Sequence, residues 1–212
     1  MMITKEELKS IILKSDITKG THLSQVRRIL ASAGLPEEDY NVADGASKMC
    51  IALKEADFVI KWSTCYNYDD GFNEAYDEVL IYQKAVKAGL EMFFPKTEVF
   101  CIHNGVIFVI QEKIDFSTYN IPMSKANRYT HKTRTVSPAI IEKMGNCFYQ
   151  MKRGRELNPL WASMAIVLYG KRKCKALCKF IIENNINDLH ASNIGYLKDK
   201  PIILDFSGYH RD

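Results

Sequence analysis

A chain of 212 residues with 47% hydrophobic and 25% charged side chains carries enough apolar material for a core of its own and is neither a polyelectrolyte nor a fibrous repeat. No apolar run approaches the roughly 18 residues that span a bilayer, and the opening MMITKEELKS has the texture of an amphipathic helix rather than a secretory signal, so the expectation is a cytoplasmic protein with no membrane partner. The net charge of +4 is unevenly spread: residues 1–119 carry 13 Lys/Arg against 18 Asp/Glu, and residues 120–180 carry 13 against 2.

The spacing predicts helices over residues 4–15, where Thr4 and Glu7 form a capping box, and over 22–33, where Leu23, Val26, Ile29 and Leu30 repeat at helical spacing. Gly34 and Pro36 stop the second. From residue 40 the texture changes to strands. KMCIAL (48–53) and DFVIKWS (57–63) read as a hairpin, and residues 72–88 as a helix with one buried face. Strands follow at 97–102 and 105–111, joined through His103-Asn104-Gly105, where Asn-Gly supplies the positive φ angles of a tight turn. Residues 115–136 are polar and basic and read as a loop. Helices are expected at 138–151 and 159–184, and short strands at 194–197 and 201–206. The six cysteines contain no C-x-x-C pair and read as reduced, partly buried thiols. Cys174 and Cys178 stand one helical turn apart, with no second ligand pair to complete a metal site.

The strongest chemical signal is NDLHASNIG at 187–195 followed by PIILDFS at 201–207. It offers Asp188, Asn193 five residues later, and Asp205 at the end of an apolar strand. Phosphoryl transfer uses these residue types. The phosphates must be neutralised by divalent metal, Mg²⁺ takes hard oxygen ligands such as Asn193 and Asp205, and a carboxylate such as Asp188 can accept or orient the attacking hydroxyl. Earlier in the chain, Lys61 lies in an apolar strand, where an ammonium is costly unless paired. Its alternation puts Phe58, Ile60 and Trp62 on one face and Val59 with Lys61 on the other. Glu74 and Glu78, one turn apart on the next helix, are both candidate partners.

These motifs resemble those of the protein-kinase-like superfamily. NDLHASN is similar to its catalytic loop in the D-L-H-x-x-N form shared with small-molecule phosphotransferases, and LDFS is similar to its D-F-G motif with Ser207 in the glycine place. The resemblance implies Asp188 as catalytic base, Asn193 and Asp205 as metal ligands, His190 as a loop organiser, Lys61 as the phosphate-binding lysine, and Glu78 as the better match for its partner. Gly45 and Ser47, in Asp44-Gly45-Ala46-Ser47-Lys48, fall where a glycine-rich phosphate loop belongs, with a single glycine. Residues 109–114, including Glu112 and Ile114, match the hinge that holds adenine through backbone groups. The chain ends at Asp212 without the activation segment and helices that follow in full-length kinases. In this it is similar to minimal phage-encoded and bacterial kinase-like proteins.

The implied fold is α+β: a two-lobed kinase-like fold with an N-terminal helical extension (1–36), an N-lobe (37–114), a basic linker (115–136) and a reduced helical C-lobe (137–212), with ATP and Mg²⁺ between the lobes. The implied reaction transfers the γ-phosphoryl group to a hydroxyl of a protein or a small molecule. Two other readings fit the same residues. One is an inactive pseudokinase that binds ATP as a regulatory module. The other is a nucleic-acid-binding protein using the basic residues Lys125, Arg128, His131, Lys132 and Arg134 of the loop and Lys171, Arg172, Lys173 and Lys175 of the long helix. That face otherwise suits an acidic partner.

Overall fold

The computed structural model describes residues 3–45, 47–64, 73–114, 159–186, 193–197 and 200–207. The expected loop at 115–136, the helix at 138–151, Asp188 and His190 lie outside the described residues. The chain is α+β and forms two compact units: Met1–Leu80 with Lys96–Lys113, and Ile81–Pro95 with Ile114–Asp212. No helix among the described residues is long and apolar enough to cross a membrane.

The first unit is built on a five-stranded antiparallel sheet: β1 (Tyr40–Asp44), β2 (Lys48–Leu53), β3 (Phe58–Ser63), β4 (Thr97–His103) and β5 (Val106–Glu112), in the order β1-β2-β3-β5-β4. The alternation in each strand decides its faces. The pairs Val42↔Ile51, Met49↔Trp62, Ile51↔Ile60 and Ile60↔Ile110 align the apolar residues on one side. The β4–β5 turn has Asn104 at φ 49° and Gly105 at φ 71°, the left-handed geometry that Asn-Gly adopts cheaply. A bulge between Val99 and Cys101 shifts the register of β4. The sequence marks strand texture from residue 40 without assigning an element to β1. Its YNVAD buries Tyr40 and Val42 alone, as an edge strand covered on one face does.

Helices α1 (Lys5–Lys14) and α2 (Leu23–Ser32) cover the apolar face. Leu8, Ile12, Ile17, Val26 and Leu30 share one core with Met49, Ile51, Ile60, Trp62 and Phe108. The two helices expected as an extension ahead of the domain are therefore part of the sheet's own core. Burying five aliphatic side chains at about 1.5–3 kcal/mol each makes this packing a major stabilising term. The Thr4–Glu7 capping box forms as the sequence predicts, with Thr4 N–H donating to Glu7 Oε2 at 2.8 Å and Glu7 N–H to Thr4 Oγ1 at 3.2 Å. The Thr4 backbone N–H, and then its hydroxyl, hold the Glu7 carboxyl below its ordinary pKa, so this contribution is lost as pH falls into the acid range. At the other end of α1, the Ser15 carbonyl is within 2.8 Å of His103 Nε2, and Asn104 Nδ2 donates to the Ile17 carbonyl at 3.3 Å.

Helix α3 (Glu74–Lys87) serves both units. Its first half packs Ala75 and Val79 against Val109 on the opposite face of the sheet from α1 and α2. Asn73 caps it, its side-chain oxygen accepting from Tyr76 N–H at 3.0 Å and from Ser63 Oγ at 2.9 Å. Its second half places Ile81 and Ala85 in the core of the second unit with Leu90, Phe93 and Phe94.

That second core continues through α4 (Pro159–Glu183), with Trp161, Ala165, Leu177 and Ile181, and through a β-hairpin of β6 (Ile194–Leu197) and β7 (Lys200–Ile203). Phe94 meets Phe206 edge-on at 5.0 Å, and Phe93 meets Tyr169 at 4.5 Å. Trp161 Nε1 and the Tyr169 hydroxyl donate to the Ile202 and Pro201 carbonyls, each at 3.3 Å. The sequence predicts one uninterrupted long helix. The structure breaks α4 at Gly170, where φ is 80° and ψ is 154°. The strand expected over 201–206 stops at Ile203.

Candidate functional site

In the first unit, the sheet face under α3 carries a row of polar side chains. Strand parity puts Lys48 and Cys50 of β2, Lys61 of β3 and Gln111 of β5 on it, and α3 lowers Glu78 onto the row. The Glu78 carboxylate has no solvent exposure. Its Oε1 lies 2.7 Å from Lys48 Nζ, and its Oε2 lies 3.2 Å from Lys61 Nζ. Gln111 Nε2 donates to the same Oε2 at 2.9 Å and to Thr97 Oγ1 at 3.1 Å. A buried carboxylate is tolerated only when its charge and lone pairs are met, and these three donors meet them. The two lysine side chains are only 11% and 12% exposed, which still leaves each an edge toward solvent.

Of the two acidic candidates for Lys61, the structure brings Glu78 to it. Glu74 is hydrogen-bonded by the Ser47 hydroxyl instead. Ser47 is buried, and its carbonyl accepts from Thr64 N–H at 2.9 Å. Gly45 lies in the β1–β2 turn, where its N–H donates to the Lys48 carbonyl at 2.8 Å. That amide is thus engaged within the turn. A Cβ at Gly45 would stand 3.2 Å from the same carbonyl oxygen, a close approach that suits glycine. Cys50 pairs across β2–β3 with Lys61. Burial pushes its thiol pKa up; Lys61 and Lys48 oppose this, and Glu78 reinforces it.

The residues expected to form an adenine hinge end β5. Glu112 N–H donates to the Lys96 carbonyl at 2.9 Å, and the next amide, Lys113 N–H, to the Asp57 carbonyl at 2.7 Å. Ile114 is buried with Ile202 and Leu204, and the boundary between the units falls between Lys113 and Ile114.

In the second unit, the β6–β7 hairpin sets Asn193 and Asp205 at its open end. Ile194 pairs with Ile203, and just outside that pair Leu204 N–H donates to the Asn193 carbonyl at 2.8 Å. Asn193 is buried, and Asp205 Oδ1 accepts from Ser207 Oγ at 3.2 Å. The side chains offer an amide oxygen and a carboxylate, both hard donors. This donor set fits Mg²⁺, which takes one or two protein oxygens and completes its shell with water and phosphate. Among the described residues no group of three or more His, Cys, Asp or Glu converges as a metal site. Cys174 and Cys178 lie in the apolar core, and burial pushes the Cys174 thiol up to about 12.

Sequence reasoning missed Lys48 as a second partner of Glu78 and Gln111 as its third. The signal for Gln111 was available: a polar side chain ending the apolar run VIFVI must be satisfied where it is buried. Lys48 stands two residues before Cys50 and so shares its face, but the sequence does not say which residue across the sheet it meets. No family model matches the chain, and no match is found among curated proteins or solved structures.

Proposed function

We propose that this protein is an ATP- and Mg²⁺-dependent phosphotransferase of the protein-kinase-like type, acting on a hydroxyl group. The observation that supports it most is the buried pair of Lys61 with Glu78, a strand lysine held by a helix carboxylate at 3.2 Å. The resemblance of the sequence assigns this pair to the nucleotide phosphates, and it joins two successive elements, β3 and α3.

In this reading Lys61 contacts the phosphates and Glu78 holds Lys61 in place. Asn193 and Asp205 would hold Mg²⁺, whose chemistry is to neutralise the phosphate oxygens as charge shifts toward the leaving group. Ser207 orients Asp205 through its hydrogen bond. The resemblance gives Asp188 the role of taking the acceptor's proton or orienting it. The five-stranded sheet with one helix on its polar face suits an N-lobe, and the helical unit ending in the β6–β7 hairpin suits a reduced C-lobe. The acceptor is a hydroxyl of a protein or of a small molecule.

The test is a thermal-shift titration with Mg²⁺-ATP, joined to transfer of label from γ-labelled ATP. Wild type should gain stability with ligand as mass action requires. Asp205→Ala should lose most of the Mg²⁺-dependent part, and Asp188→Asn should lose label transfer while keeping the thermal shift. A wild-type protein indifferent to nucleotide at millimolar concentration would sink the proposal. Binding without transfer would favour the regulatory, catalytically inactive reading.

A further inference from the structure

A strand lysine paired with one helix carboxylate forms a closed unit: each charge answers the other. Here the carboxylate is shared. Lys48 stands 2.7 Å from Oε1 of Glu78, closer than Lys61, which stands 3.2 Å from Oε2. Gln111 adds a third donor at 2.9 Å, on the oxygen that faces Lys61. The sheet register fixes this arrangement. Lys48 pairs with Ser63 and Cys50 with Lys61, so the two lysines are diagonal neighbours on one face with the carboxylate over both.

We propose that Lys48 is a positioning residue: it anchors and neutralises Glu78, and so leaves Lys61 with donors and net positive potential for an anionic ligand. This rests on the phosphotransferase reading and names the ligand part concerned, the oligophosphate of a nucleotide. The physical reason is competition for one carboxylate. A carboxylate already met by Lys48 and Gln111 attracts Lys61 less than a bare one does. The longer Lys61 contact follows that order. Lys61 then has two of its three N–H donors to offer a phosphate. If Lys48 is removed, Lys61 becomes the sole cation on a buried carboxylate and is drawn onto it.

The experiment compares wild type, Lys48→Met, Lys48→Arg and Lys61→Met as full chains. Affinity for Mg²⁺-ATP, for inorganic tripolyphosphate and for adenosine is measured by displacement of a fluorescent ATP analogue, beside the urea midpoint of each protein. Lys48→Met should weaken ATP and tripolyphosphate by the same factor, about tenfold to a hundredfold for one charge-assisted contact. Adenosine should compete for the site as in wild type. Lys48→Arg should restore most of the loss. Lys61→Met should lose the phosphate term with a urea midpoint near wild type, because Lys48 still compensates Glu78.

Unchanged tripolyphosphate affinity in Lys48→Met, with wild type binding normally, overturns the role of Lys48 and leaves the phosphotransferase reading standing. An equal loss for adenosine and tripolyphosphate without rescue by arginine overturns it in favour of a purely structural role. A wild type that binds none of the three probes overturns both.

Discussion

The worth of Glu78 is set by what is left when it is taken away. Two ammoniums and one amide converge on a carboxylate with no exposure. Truncation of the shared member of such a buried cluster costs more than the cluster contributes, because its partners stay behind without compensation. Glu78→Ala should therefore destabilise the protein by about 3–5 kcal/mol, and Glu78→Gln by less, since the amide oxygen still accepts from one lysine. The check is the urea midpoint of each variant at neutral pH. A Glu78→Ala protein as stable as wild type would show that the cluster is idle. At this scale the sequence was partly legible. Lys61 declared itself because an ammonium inside FVIKW must be paired. The competition between Glu74 and Glu78 was settled by the Ser47 hydroxyl, which meets Glu74, and by the rotation of α3, neither of which is written in local spacing. Lys48 opens β2, as the strand over 48–53 implies, but its partner is thirty residues away and local pattern does not point to it.

Elements were read more reliably where the residue itself dictates backbone geometry. Asn104 and Gly105 occupy left-handed geometry, as an Asn-Gly hairpin requires, and the Thr4 capping box starts α1 at the expected residue. Gly170 lies in the same sequence class but was hidden inside a helical pattern. At φ 80° and ψ 154° it sits in a region that essentially glycine alone visits, and it divides the apolar half of α4 from its basic half. Among the described residues, no heavy atom lies within 4 Å of a Cβ added at either glycine, so substitution there meets backbone strain. Gly105→Ala should cost about 1–2 kcal/mol and Gly170→Ala about 1–3 kcal/mol. Urea unfolding followed by far-ultraviolet circular dichroism measures both. If Gly170→Ala is neutral, the break in α4 straightens at no cost and does not constrain the unit. The other elements that pattern did not give, β1 and the early end of β7, are short and owe their limits to pairing partners rather than to their own composition.

For the whole molecule, the chain order of the two units is interleaved: Ile81–Pro95 belongs with the C-terminal residues, and Lys96–Lys113 returns to the first unit. A division of the sequence at 114 follows the motifs but not the packing, which puts Ile81, Phe93 and Phe94 in the core of the second unit. The two tryptophans separate the units as reporters. Trp62 is fully buried in the first and Trp161 in the second. In a Trp62→Phe protein, fluorescence follows Trp161 and hence the core that also buries Cys174. Burial raises the Cys174 thiol from 9.0 to about 12, and it raises the nearby Tyr196 phenol from 10.0 to about 12. Both groups keep their protons in the folded chain at pH values where the unfolded chain has released them. Their contribution is complete below the ordinary thiol value and is lost as pH climbs toward the folded one. The unfolding free energy reported by Trp161 should thus fall between about pH 9 and about pH 12, by at most about 1.4 kcal/mol per pH unit for the thiol. Cys174→Ala should lower stability at neutral pH by opening a small cavity, yet flatten the alkaline slope. A slope unchanged by that substitution would mean that the thiol ionises as easily inside the core as outside, which a side chain so fully enclosed by hydrocarbon does not allow.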